Sequence, residues 1–368
     1  MRNTISVPER RYRRRLAWYI GKLLLWALTR ETVYGRENFP KKGPYIVAGN
    51  HRGIMEVFLM VSACPHNIEV LGAGDIPLDR RYRYFADFYG YIPYKRGQMD
   101  RKALMTAEKV LEEDRVVGIF PEGGIWKAAR KSAHRGVAWL SFASGAPIVP
   151  VGFAGIYEAM WRMATLQNPK LEAWIGKPIP LPERDPALPR KKQMELHAEY
   201  VLDHIDALIP DWDKDVHVEP EWEEYDLHVW VTEPHGQPEN RAPDIVHPEV
   251  LVRFFHIPVM MDALYYNLKR RAVRPLRSFL KVYSAAAVHR AVCVVLGYVR
   301  RTNPAFFTYR LGDDTAAELV EALISLREVA AEAAARGARM RTVPIYRYRM
   351  PGQSEVSELR SPRSARRF

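Results

Sequence analysis

A chain of 368 residues, 48% apolar and 27% charged, is long enough for one sizeable core plus an appendage of over a hundred residues, and this composition excludes disorder along the whole length. Only Cys64 and Cys293 are present, too far apart for a disulfide framework and without metal-ligand spacing, so a reducing compartment, buried structural thiols and no metal site are expected. The net charge of +12 is zoned along the chain, which restricts its meaning to particular segments.

Residues 1–30 carry eight Lys or Arg and a single acid, Glu9. Arg10, Arg11, Arg13, Arg14 and Arg15 lead into an apolar run at 16–28 that is broken only by Gly21 and Lys22. That run falls short of the ~20 residues a bilayer span requires, and it lacks the small-residue cleavage pattern of a signal peptide. The reading is an uncleaved basic amphipathic helix lying in the interface, with arginines at anionic headgroups and Trp18, Tyr19 and Trp26 near the boundary. A helix packed on the domain's own core is the alternative. Basic zones can also face nucleic acid, but the apolar residues beside them favour a membrane leaflet, and no nucleic-acid partner is expected.

From residue 44 short apolar runs alternate with helical stretches. Strands are predicted at 45–49, 68–72, 91–94, 116–120, 148–153 and 171–175, and helices at 55–63, 100–113 and 134–144. This alternation predicts an α/β domain with a substantially parallel sheet over residues 31–210, closed by a helix at 191–208 and bounded by Pro210. Ten acids against one base, Lys214, at 211–240 mark an acidic linker over 211–245. Residues 246–368 read as mainly helical and basic, with eleven bases and one acid, Asp262, at 253–310. Within them, helical patterns cover 249–270, kinked at Pro258, and 275–300, with Pro275 in the first turn. A further helix opens on the Thr315 and Glu318 capping pattern, aligns Leu319, Leu323, Leu326 and Val329 on one face, and stops at Gly337. Arg360, Arg363, Arg366 and Arg367 form a basic tail.

The residues that carry chemistry begin with Asn50-His51-Arg52-Gly53-Ile54-Met55-Glu56, directly after the first of these strands. On a straight helix, positions five apart point about 140° apart and cannot touch. With His51 in the turn and Glu56 in the first helical turn, the carboxylate can reach back to one imidazole nitrogen, fixing its tautomer and supporting the imidazolium. Three further stretches follow in order: Gly90-Tyr91-Ile92-Pro93-Tyr94-Lys95-Arg96, Phe120-Pro121-Glu122-Gly123-Gly124, and Ala146-Pro147-Ile148-Val149-Pro150-Val151. No Walker loop, dinucleotide glycine fingerprint, metal-spaced cluster or nucleophile elbow competes with them.

Together these four stretches resemble the PlsC-like glycerolipid acyltransferases, over roughly residues 30–210. The resemblance implies a glycerol-3-phosphate acyltransferase-like α/β domain, here with an N-terminal interfacial helix and a mainly helical C-terminal extension. It matches His51 and Glu56 to the family's histidine and acid, with Glu in place of the commoner Asp. His51 would take the proton of an acceptor hydroxyl as that hydroxyl attacks an acyl thioester, without a covalent acyl-enzyme. Arg96 would hold the acceptor phosphate through its planar fork, and Glu122, Gly123 and Gly124 would meet the acceptor at a loop where glycine permits backbone shapes closed to other residues. Arg135, at a helix start, would contact a phosphate or the carrier.

The chain departs from the family at Gly124-Ile125-Trp126, where Thr-Arg usually follows the first glycine. The second phosphate-binding arginine is therefore missing from its usual place, with Lys127, Arg130 or Arg135 as replacements. The expected activity is acyl transfer from acyl-CoA or acyl-carrier protein, as co-substrate and with no cofactor, to lysophosphatidic acid or a related lysophospholipid. It would take place at the membrane surface on the cytoplasmic face. A non-phosphorylated or glycolipid acceptor is the alternative, and a non-catalytic membrane-binding protein a third reading.

Overall fold

The computed structural model describes residues 10–74, 80–95, 100–123, 133–156, 159–180, 183, 185–214, 220–234, 238–256, 268, 270–277, 281–302 and 315–359. The chain divides into two compact units, Met1–Gly74 with Tyr84–His217, and Asp75–Arg83 with Val218–Phe368.

In chain order, the elements through residue 214 are α1 (Arg11–Leu28), β1 (Arg30–Tyr34), β2 (Tyr45–Gly49), α2 (Met55–Ala63), β3 (Ile68–Ala73), α3 (Arg80–Tyr89), β4 (Ile92–Tyr94), α4 (Arg101–Glu112), β5 (Val116–Ile119), α5 (Gly136–Ser144), β6 (Ile148–Ala154), α6 (Ala159–Ala164), β7 (Lys170–Ile175), α7 (Arg190–Leu208) and α8 (Asp211–Lys214). The strands form one sheet in the order β1-β7-β6-β2-β5-β3-β4. From β6 through β4 neighbouring strands run parallel, whereas β7 is antiparallel to β6 and pairs in parallel with β1.

The predicted strands and helices of this unit all form, with boundaries shifted by a few residues at most. They were legible because a parallel strand covered on both faces must be apolar at successive positions. Ile46, Ala48, Val117, Ile119 and Ile148 pack against Leu104 of α4, Leu140 of α5 and Val201 of α7. The alternate residues Tyr45, Val47, Val116, Val149 and Val151 face the other way, onto Leu59 and Met60 of α2 and Leu25 of α1. Strand β1 was not expected; it is an edge strand whose residues alternate between exposed and half-buried, and it presents no apolar run. Cys64 is buried, as expected, and bonded to the Tyr45 hydroxyl at 3.4 Å, while Cys293 is exposed, contrary to expectation.

Helix α1 reconciles parts of both readings offered for it. Tyr12, Leu16, Tyr19, Ile20, Leu23 and Trp26 are exposed on one side, and Leu25 reaches the core on the other. Arg14 departs from the expected headgroup position: it is buried, and its guanidinium engages Glu69 of β3, which Arg115 also engages. Arg14 Nε donates to the Tyr89 carbonyl at 3.2 Å as well. A buried carboxylate that lacked these cations would carry a large desolvation cost, so the pairing docks α1 on its domain. Among the described residues no helix is long and apolar enough to cross a membrane.

The second unit contains β8 (Trp222–Thr232), β9 (Asn240–Arg241), α9 (Pro248–His256), α10 (Arg270–Arg277), β10 (Tyr283–Ser284), α11 (Ala285–Arg301), α12 (Thr315–Ala335), β11 (Arg339–Arg349) and β12 (Ser357–Leu359). Its antiparallel sheet runs β10-β11-β8-β9, with β12 also on β11. Leu227, Val229, Val231 and Met340 turn inward onto buried residues of α9, α11 and α12. The stretch read as an acidic linker thus holds an 11-residue strand. Its acids are accommodated on the sheet: Glu224 pairs with Arg347 at 3.3 Å and Glu223 accepts the Tyr225 hydroxyl at 2.7 Å. The helical expectation holds for α12, which starts at Thr315, buries Leu319, Leu323 and Leu326, and ends at Ala335, two residues before Gly337 with φ +70°. Pro275 lies inside α10 and not in the first turn of a helix. Pro258 and the basic tail at 360–368 lie outside the described residues.

Candidate active site

Strands β2 and β5 are neighbours that run the same way, so the loops after them leave the same edge of the sheet side by side. The carboxyl edge of parallel strands is where α/β folds form their ligand crevices. His51 follows β2 there and Glu122 follows β5, and Glu122 Oε1 accepts the backbone N–H of His51 at 3.2 Å. The His51 ring stacks on Phe120, with centroids 4.1 Å apart and planes 19° from parallel, which fixes the plane of the imidazole.

Each residue of this turn has its own anchor. Asn50 is buried; its Nδ2 donates to the Phe153 carbonyl at 3.0 Å and its Oδ1 accepts the Phe153 N–H at 2.7 Å, which ties the turn to β6. Glu56, in the first turn of α2 and fully buried, accepts the N–H of Arg52 and, at 2.9 Å on each oxygen, the N–H of Gly53. The expected carboxylate-to-imidazole bond is therefore not the one that Glu56 makes. The physical reason is local: the turn leaves buried N–H groups within reach of the carboxylate, and buried backbone donors must be satisfied. Glu56 supports His51 by shaping its turn.

Burial, helped by the nearby Glu122 charge, pushes the Glu56 carboxyl up to about 8 against the opposing pull of the Arg52 and Gly53 N–H groups. Gly123 sits at φ +69°, the left-handed region in which glycine is favoured, and its N–H closes a turn onto the Phe120 carbonyl at 3.0 Å. A pocket of about 80 Å³ opens beside these groups, lined by His51, Phe120, Gly123, Tyr94, His134 and Gly136 among others. Leu71, Leu104 and Ile119 make much of its remaining wall apolar. His134 was not foreseen as a site residue; burial of its ring, with the Arg135 charge beside it, lowers its pKa.

Of the other expected site residues, Arg96 and Gly124 lie outside the described residues, as do Lys127 and Arg130. Arg135 occupies the position before α5 without a capping side-chain bond; its Nε lies 3.9 Å from Glu195 of α7, and its neighbours His134 and Gly136 line the pocket. Sequence reasoning also passed over Asn50 and Arg52, although both sit in the quoted motif. In the second unit His247, Glu249 and Glu318 bring possible ligand atoms within 4.8 Å of one another, a grouping the sequence spacing did not reveal. These side chains are only half-buried, and partly exposed acidic groupings of this kind occur without a metal.

A histidine flanked by two buried acids at the carboxyl edge of a mainly parallel sheet, opening on a partly apolar pocket, defines an α/β enzyme equipped for proton transfer. Residues 30–154 match the Acyltransferase family. The 1-acyl-sn-glycerol-3-phosphate acyltransferase of Bacillus subtilis is 25% identical over 148 residues, which span 40% of this chain and 72% of that protein. The corresponding enzyme of Borreliella burgdorferi is 30% identical over 136 residues, 35% of this chain and 54% of that protein. The crystal structure of the 1-acyl-sn-glycerophosphate acyltransferase PlsC from Thermotoga maritima aligns over 54% of this chain and 80% of that one, with 19% identity and a TM-score of 0.42. Residues 30–154 thus form an acyltransferase domain, similar in sequence to those of the PlsC-like acyltransferases.

Proposed function

We propose that this enzyme transfers a fatty acyl group from acyl-CoA or acyl-carrier protein to the free hydroxyl of 1-acylglycerol 3-phosphate or a related lysophospholipid. The observation that carries the reading is His51, its ring stacked on Phe120 and its backbone N–H bonded to Glu122, on the wall of a partly apolar pocket. His51 takes the hydroxyl proton as the oxygen attacks the thioester carbonyl; the carbon–sulfur bond breaks and the departing thiolate takes up a proton. General-base assistance of this kind contributes about 10²- to 10⁴-fold. Glu56 acts indirectly, by holding the turn in which His51 sits. Arg96, Glu122, Gly123, Gly124 and Arg135 are proposed for the acceptor side by the family resemblance.

The acceptor is an amphiphile, and the exposed apolar side of α1, flanked by arginines, suits the cytoplasmic face of an anionic membrane. Gly124-Ile125-Trp126 in place of the usual Thr-Arg favours a second reading, in which the acceptor carries no phosphate at that position. The test is transfer of radiolabelled acyl groups from acyl-CoA by the detergent-solubilised full chain to a panel holding lysophosphatidate, lysophospholipids and monoacylglycerol. Lysophosphatidate is expected to be the preferred acceptor, and His51→Ala to abolish turnover. Unchanged turnover in that variant removes the general base, and a preference for monoacylglycerol selects the second reading.

A further inference from the structure

Among the described residues beyond the family-matched 30–154, the Asp213 carboxylate reaches back to the His51 turn. Asp213 belongs to α8, and only 2% of its surface is exposed. Its Oδ2 accepts the Arg52 guanidinium at 2.8 Å, with the same Nη1 lying 3.4 Å from the Asp213 carbonyl. Its Oδ1 accepts the Gly155 N–H at 2.8 Å. The carboxylate thus bridges the residue after His51 and the residue after β6, two loops at one edge of the sheet.

The Gly155 end of the bridge has little freedom to move. Gly155 sits at φ +77°, and a Cβ there would meet the Lys170 carbonyl oxygen at 2.0 Å, so the loop is pressed against β7. Two residues earlier, Phe153 holds Asn50 through both of its backbone polar groups. Asp213 and Asn50 therefore brace the His51 turn against the same stretch of β6, from opposite sides of the histidine in sequence. As a stability device the arrangement is a poor one, because burying an ion pair costs desolvation that apolar packing avoids. As a means of fixing a turn it is effective, because it defines a direction as well as a distance.

We propose that Asp213 is a positioning residue for the acyl-transfer step: through Arg52 it sets the placement of His51 relative to the pocket. The proposal rests on the reading of His51 as the general base. Misplacing a reacting group by about 1 Å can cost about 10²-fold, and the remaining anchors from Asn50, Glu56 and Glu122 limit the loss.

The test uses the full-length enzyme with Asp213→Asn, Arg52→Gln, the double variant and Arg52→Lys. It reads kcat and KM for acyl-CoA and lysophosphatidate, thermal unfolding, and the rate of diethyl pyrocarbonate modification of His51 by peptide mass, with His204 as internal reference. Each single variant is expected to lower kcat about tenfold with KM changed less than about twofold. The double variant is expected to be no worse than the weaker single one, because the two residues act through one contact. Arg52→Lys should recover most of the rate, and the His51 modification rate should change at least threefold in both single variants.

Arg52 is partly exposed, so its variants remain informative if Asp213→Asn fails to fold. Wild-type kcat and wild-type His51 modification in Arg52→Gln overturn the inference, as does an additive double variant. Wild-type turnover in His51→Ala overturns instead the general-base reading beneath it. With no turnover on any acceptor, the modification rates alone decide whether the contact positions His51.

Discussion

Replacing Glu56 by Gln is the perturbation for which the structure gives a magnitude. The carboxyl is fully buried and its pKa is pushed from 4.5 up to about 8. With the folded value above the unfolded one, the folded state holds the proton more tightly, so this contribution to stability is complete below about pH 4.5. It is lost as the pH rises through the window up to about 8, where the native carboxyl ionises. A pKa unit corresponds to 1.36 kcal/mol, so between pH 5 and pH 8 the wild type should lose roughly 3 kcal/mol relative to a glutamine that never ionises. Titrating groups that do not interact with Glu56 cancel in that difference. The assay is urea unfolding of both proteins at half-unit pH steps, with the m-values required to agree. Glutamine keeps one oxygen for the Gly53 N–H, so the fold should survive the change. A wild-type-minus-variant difference that stays flat within about 1 kcal/mol across pH 5–8 would refute the reasoning.

Asn50→Ala should cost about 2–4 kcal/mol in unfolding free energy, because it strands both the N–H and the carbonyl of Phe153 in the interior; a loss below about 1 kcal/mol would mean the strand re-pairs without it. Gly155→Ala should lower stability by about 2 kcal/mol or more, since its φ is left-handed and the Lys170 carbonyl occupies the space a Cβ needs. Arg14→Met should destabilise by up to about 3 kcal/mol, with Arg115 still engaging Glu69 and limiting the damage. Exchanging Leu16, Tyr19, Leu23 and Trp26 for Gln should release the protein from anionic vesicles in flotation with its melting temperature unchanged, because these side chains project outward. Flotation equal to wild type would place the membrane contact elsewhere.

These expectations differ in how visible they were beforehand. The exposed apolar side of α1 was legible in its amphipathic pattern, yet Arg14 could not be told from Arg13 or Arg15 by composition; helix phase and the position of Glu69 decide which of them turns inward. A deletion of residues 1–30 would remove a buried ion partner along with the exposed face, so point substitutions on that face are the cleaner experiment. The C-terminal sheet was missed for a related reason. Strand β8 carries Glu223, Glu224 and Asp226, which read as a solvated linker until Arg347 and the Tyr346 hydroxyl across the ladder are in place.

The sequence by itself determined the alternation of strand and helix between residues 44 and 210, and it placed His51 in the turn after β2 with an acid in the first turn of the helix that follows. Both follow from local chemistry, since doubly covered strands must be apolar throughout and a turn of this kind is encoded by its own few residues. Only the tertiary structure decided what Glu56 bonds to, that Phe120 forms a stacking surface for the imidazole, and that Asp213 joins the site from 161 residues away along the chain. Hydrogen-bond partners inside a protein are chosen by competition among whichever donors and acceptors burial has cut off from water, and that set exists only once the chain has packed.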